Sequence, residues 1–410
     1  MAIENEEKTL PIDSFVISIF IMLTLGRLLS ELCCRVGVPG VVGEMLAGLI
    51  IGPSILGWVH PHNTLSVLAE LGVILLLFDI GCETSVKRLY HASGRSIWVA
   101  LGGIIFPVVV GGASAAYWLN LPPFTALFFG CALTATSIGI SIRVMTQANQ
   151  GQTLAGQVIL GAAVVDDIVG VVLLSILLNF NASGTLSLVS VLILVLKVVG
   201  FMFLAPPMAR ALIYLFRSWY PHTKGSGFEV FVVITLICLF AWLAHWFGAP
   251  ALLGGFAAGM ALSRQFVSPT NRYLPNPFPF THKLEVSAKP LVELFSPIFF
   301  VYVGISVDLS QLDLTLSGLL VLLWLALIAI VTKLASGMAA KGPLRRKVII
   351  GSAMIPRGEV GLVFAEMGLQ LNIIQPKLFT EMVLIIAITS IVGPLLLKWS
   401  LKGQTVLRKR

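Results

Sequence analysis

Charge is scarce in this 410-residue chain: Asp, Glu, Lys and Arg make up 11% of it, while 57% is hydrophobic. That excludes an ordinary soluble domain, in which roughly a quarter of residues are charged. Cysteine is scarce as well. The five present, Cys33, Cys34, Cys82, Cys131 and Cys238, lie in or beside apolar runs without metal-ligand spacing, so they read as small hydrophobes in a reduced setting. The alternating segments of about ten residues that mark a membrane β-barrel are missing. The N-terminus, MAIENEEKTL, is acidic and leads to no small-residue cleavage site, so no secretory leader is expected.

What fills the chain is long apolar runs. Thirteen are long enough to span or nearly span a bilayer: 12–35, 40–57, 64–84, 95–118, 122–147, 152–179, 185–216, 227–247, 249–263, 286–307, 314–340, 346–371 and 377–402. The second and ninth are short and glycine-rich. Taking the loops after odd-numbered segments as cytoplasmic places 22 of the 27 Lys and Arg near that side. Only Lys8 and Lys377 fall on the other, and Lys197, Lys333 and Arg357 lie inside segments. The positive-inside rule then puts the N-terminus outside and the C-terminus in the cytoplasm. The net charge of +8 is a solvated cytoplasmic face, and no nucleic-acid partner is expected.

Segment two carries Pro39 and Gly43 with Ala47-Gly48, and segment nine carries Pro250 and Gly254 with Ala258-Gly259. Further on, LLFDIG (76–81) matches FVYVGI (300–305), pairing Gly81 with Gly304. Two matches in the same order argue for duplication. Segments 1–6 and 8–13 form the repeats and segment 7 the linker. Seven segments separate the copies, so they cross the membrane in opposite senses, as in many secondary transporters. The reading is an all-α polytopic membrane protein with 13 transmembrane helices in two inverted six-helix repeats.

Three features carry chemistry. Asp166 and Asp167 sit side by side near the middle of segment 6; each charge at a bilayer centre costs about 2.5–3.5 kcal/mol. A structural ion pair and an ion or proton site both explain them. Segment 5 holds Thr134, Thr136, Ser137 and Gly139 at its midpoint. These suit an interrupted helix, or hydroxyls bonding back to an intact one. Segment 12 holds Pro356, Gly358 and Gly361, where a break is expected. Paired interruptions at corresponding positions point to a transport site, with the two broken helices crossing. Arg357 and Glu359 at the second break read as structural charges offsetting half-helix dipoles. Neighbours on a helix diverge by about 100°, so the two aspartates cannot share one ligand set equally. Lys333 in segment 11 is the obvious partner for one of them, or a lysine that snorkels. Asp79, Glu83, Glu44, Glu70, Glu293 and Lys197 receive no transport role.

Together, Thr134-Ala-Thr-Ser-Ile-Gly-Ile, Gly161-Ala-Ala-Val-Val-Asp-Asp, the Lys333 helix and Pro356-Arg-Gly-Glu-Val-Gly-Leu resemble the monovalent cation:proton antiporter-2 family, nearest its bacterial sodium/proton antiporters. The resemblance covers essentially the whole chain. It implies a homodimer of the sodium/proton antiporter fold in the bacterial inner membrane. A scaffold half would comprise 1–84 and 226–309, and a mobile core 85–180 and 310–403. Residues 181–225 would link them, and 404–410 would form a basic tail. By resemblance, Asp167 is the cation- and proton-binding carboxylate and Asp166 the second carboxylate, salt-bridged to Lys333. Thr136 and Ser137 lie near the Na⁺ in the unwound stretch. The acidic pair with the lysine resembles the electrogenic branch, which moves two protons per sodium ion. No cofactor and no enzymatic activity are implied.

Three other readings share parts of this pattern. A potassium/proton exchanger shares the fold, but the chain ends at Arg410 without the nucleotide-binding domain of glutathione-gated systems. A sodium-coupled solute symporter shares the repeat logic. An intramembrane aspartyl protease needs two aspartates converging from separate helices.

Overall fold

The computed structural model describes residues 12–83, 94–137, 141, 144–145, 148, 150, 153–183, 188–220, 227–247, 249, 251–263, 278–312 and 315–407. Certain helical side chains, Asp167 and Glu359 among them, also lie outside that description. Every regular element among the described residues is helical. Eight helices are long and apolar enough to cross a membrane, and shorter apolar helices accompany them. With no water to satisfy exposed peptide groups, a bilayer selects this all-helical solution.

In order, the helices are α1 (Ile12–Arg35), α2 (Gly40–Ile51), α3 (Asn63–Glu83) and α4 (Gly94–Phe106). A π-turn at Pro107–Gly111 joins α4 to α5 (Gly112–Trp118). Then come α6 (Pro123–Ala132), α7 (Leu154–Ser183), α8 (Leu188–Trp219), α9 (Phe228–Trp246) and α10 (Ala251–Leu262). The last are α11 (Phe278–Ile305), α12 (Leu316–Ser336), α13 (Leu344–Met354), α14 (Glu359–Gln370) and α15 (Pro376–Leu407). Apolar runs set most of these boundaries, and local chemistry sharpens some. Pro123 opens α6, where a missing N–H costs nothing. The Thr315 hydroxyl caps α12 by accepting from Gly318 N at 3.2 Å. The tenth segment starts earlier than its hydropathy indicates, because the first turns of α11 are amphipathic. Phe280, Leu284 and Ala288 are buried on one face, while His282 and Lys283 are exposed.

The chain forms two compact units. One takes the described residues up to Leu76 with Lys289–Ser310. In it, Gly43 lies against the Leu29 carbonyl of α1, and Gly48 against Val301 and Gly304 of α11. Buried Glu44 accepts from Ser30 Oγ at 3.1 Å. The Ser54 hydroxyl donates to the Val307 carbonyl at 2.6 Å and accepts from Leu309 N at 3.1 Å. The other unit takes Leu77–Ala288 and Gln311–Arg410. In it, Gly254 of α10 lies against the Phe240 carbonyl of α9, and Gly259 against Phe78 and Gly81 of α3. One apolar cluster of this unit joins Val99 and Ala100 of α4, Val158 and Ala162 of α7, Ile350 and Met354 of α13, and Leu397 of α15.

These contacts bring backbones together where a β-carbon has no room. Gly254→Ala is therefore expected to destabilise the protein by about 1–3 kcal/mol, the cost of overpacking. A thermal melt in detergent reads this as a lowered midpoint; an unchanged midpoint would refute the contact.

Candidate ion site

Both interruptions are present. Helix α6 ends at Ala132, and Leu133–Ser137 leaves the helical path. Ile138–Ile140 lie outside the described residues. Helices α13 and α14 are separated by Ile355–Gly358, as Pro356 and Gly358 dictate. The two breaks meet. Ser137 N donates to the Pro356 carbonyl at 2.8 Å, and the Ser141 hydroxyl donates to the Ala353 carbonyl at 2.5 Å. The Ser137 side chain lies where a β-carbon on Gly358 would go, so the missing side chain at 358 permits the crossing. On α15, Gly393 similarly clears space for the Pro356 ring.

Arg357 is fully buried beside this crossing. Its guanidinium donates to the Ala329 carbonyl at 3.0 Å and to the Ala135 carbonyl at 3.4 Å. Its own carbonyl accepts from the Ser390 hydroxyl. One cation thereby satisfies acceptors on α12 and at the α6 break, where interrupted helices leave carbonyls exposed.

The carboxylate lies against the first break. Asp166 on α7 is buried, and its Oδ2 meets Lys333 Nζ of α12 at 2.5 Å, both side chains being 0% exposed. Thr136 Oγ1 donates to the same oxygen at 2.6 Å. A buried pair of this kind offsets two large desolvation costs only when its geometry is short and its remaining lone pairs are served. Here one set is not: Asp166 Oδ1 is buried without a hydrogen-bond partner among the described residues. A buried carboxylate oxygen with no donor on it is an acceptor that a proton or a bare cation can use.

Of the residues singled out in the sequence, Lys333 and Thr136 both bond Asp166. Ser137 contributes its amide to the crossing. The side chains of Asp167 and Glu359 fall outside the described residues; their backbones belong to α7 and to the first turn of α14. Ser141, Gly393, Ser390 and Gly103 are participants that the sequence does not mark. Ser390 sits far along the chain on α15. Gly103 on α4 lies where a β-carbon would stand 3.0 Å from Lys333 Nζ and 3.7 Å from Asp166 Oδ1. The only local signal for Gly103 is Pro107, one turn later.

Fold and site together define an all-helical integral membrane protein with an ion-paired carboxylate buried beside two crossing helix breaks. The chain belongs to the sodium/hydrogen exchanger family, whose transmembrane-region profile matches residues 18–403. Among its relatives is a Na⁺/H⁺ antiporter of Enterococcus hirae, 33% identical over 94% of this chain and 96% of that one. The high-affinity Na⁺/H⁺ antiporter NhaS3 of Synechocystis is 30% identical over 96% and 91%. The Na⁺/H⁺-K⁺ antiporter GerN of Bacillus cereus is 31% identical over 94% and 96%. The sodium proton antiporter MjNhaP1 of Methanocaldococcus jannaschii superposes with a TM-score of 0.72 at 18% identity, over 94% of this chain and 96% of that one, a likeness of fold.

Proposed function

We propose that this protein exchanges Na⁺ or Li⁺ for H⁺ across a bacterial inner membrane, with the cation and protons competing for Asp167 and Asp166. The observation that carries this reading is the buried Asp166, held by Lys333 and Thr136 through Oδ2 and open at Oδ1. Its ammonium partner can be exchanged for an incoming cation without leaving the carboxylate bare. Hard cations suit the carboxylate, hydroxyl and carbonyl oxygens gathered there. The named activities of the Synechocystis and Enterococcus relatives support the same reading.

The finer mechanism rests on the same footing. The core half, 85–180 and 310–403, carries the site while the dimerising half, 1–84 and 226–309, stays in place, and residues 181–225 link them. Two protons move per Na⁺, so the exchange is electrogenic and couples to voltage at about 2.3 kcal/mol per charge per 100 mV. The thirteen-span inverted repeat finds support in the glycine contacts, which come in matching sets. Segment two touches segments one and ten through Gly43 and Gly48, and segment nine touches eight and three through Gly254 and Gly259. Basic loops support a cytoplasmic C-terminus.

The test is dequenching of a pH dye in proteoliposomes. Na⁺ and Li⁺ are expected to release protons, with an apparent KM that falls as pH rises, because fewer protons contend for the carboxylates. A KM independent of pH would end the competition model. The alternative is K⁺/H⁺ exchange, a cation that the name of GerN includes, and a K⁺ arm in the same series tests it.

A further inference from the structure

Helix α4 supplies a wall of the site that no motif marks. Gly103 faces the ion pair: a β-carbon there would come within 3.0 Å of Lys333 Nζ, 3.7 Å of Lys333 Cδ and 3.7 Å of Asp166 Oδ1. Its neighbour Gly102 is different, since a β-carbon there meets Ser336 Cα and Cβ at 3.4 and 3.6 Å, ordinary contact distances. The notch at Gly103 therefore opens toward the one buried Asp166 oxygen that has no partner among the described residues. Pro107 adds a second effect. Lying four residues on, it withholds the amide that would meet the Gly103 carbonyl in a regular helix, and the chain passes into a π-turn at that residue. Such turns recur at functional sites.

We propose that Gly103 is a specificity-determining residue. Its missing side chain leaves the room that a cation needs at Asp166 Oδ1 once Lys333 withdraws. This rests on the cation-exchange reading above and deepens it. A methyl group at 103 narrows the notch without removing a charge or a ligand, so it discriminates by ion size. Li⁺, the smaller ion, loses less than Na⁺. One carbon in a fitted site is worth about tenfold or more in discrimination. Gly103→Ala is accordingly expected to raise the apparent KM for Na⁺ about tenfold and the KM for Li⁺ by clearly less.

The experiment compares Na⁺- and Li⁺-driven proton release in proteoliposomes for the unaltered protein, Gly103→Ala and the matched control Gly102→Ala. A changed Na⁺/Li⁺ KM ratio in Gly103→Ala alone supports the proposal. A ratio equal to that of the unaltered protein, or the same change in both variants, overturns it. Absence of cation-driven exchange in the unaltered protein would instead strike at the exchange reading. If Gly103→Ala is not monodisperse in detergent, the same substitution is made in the Asp166→Asn/Lys333→Met background, which removes the atom that the methyl meets without leaving a charge at the pair. Recovery then places the contact at the ion pair, and failure to recover overturns the proposal.

Discussion

Lys333→Met is expected to destabilise the protein by about 3–5 kcal/mol, because it strands a buried carboxylate without its counter-charge. Asp166 has 0% side-chain exposure, and the Thr136 hydroxyl is its other hydrogen-bond donor. One hydroxyl does not replace an ammonium at 2.5 Å. Asp166→Asn alone strands the ammonium in the same way. The double variant Asp166→Asn with Lys333→Met leaves no buried charge at the pair, and its melting midpoint should lie above both singles. Additive losses would mean the pair is not coupled in the folded protein. The lysine also admits an electrical readout. Lys333→Gln in a planar-membrane recording is expected to lose the Na⁺-driven current, and a surviving current would confine Lys333 to a structural role.

Asp167→Ala carries the other large effect: Na⁺-driven proton release should drop to the protein-free background. Position 167 follows Asp166 on α7, about 100° further round the helix. Removing its carboxylate takes away the proposed cation ligand while leaving Asp166 and Lys333 unaltered. The variant should consequently remain monodisperse and melt near the unaltered protein. Unchanged Na⁺-driven exchange would sink the assignment of Asp167 as the ion-binding carboxylate.

Much of this architecture is written in local signals along the chain. The apolar runs announce helices, because a bilayer leaves few alternatives. Pro356 with Gly358 announces an interruption, because both residues disfavour the helix at one point. Other features depend on distance in space and leave no mark along the chain. Gly103 gains meaning only from Lys333 and Asp166, which arrive on α12 and α7. Ser390 bonds a carbonyl 33 residues away, and a serine inside an apolar helix ordinarily bonds its own preceding turn. The early start of α11 was missed for another reason: hydropathy averages over both faces and so overlooks an amphipathic turn.

The bonds that the Ser137 amide, Ser141, Arg357 and Ser390 donate around the meeting of the two breaks each end on a main-chain carbonyl, those of Pro356, Ala353, Ala135, Ala329 and Arg357, and the bond that joins the breaks directly, Ser137 amide to Pro356 carbonyl, is main chain on both sides. An alanine scan trims side chains and leaves peptide groups in place. Such a scan would therefore score Ser137 and Pro356 for their hydroxyl and ring while passing over the bond between them. The informative scan here runs the other way, adding atoms at Gly358 and Gly393 rather than removing them elsewhere.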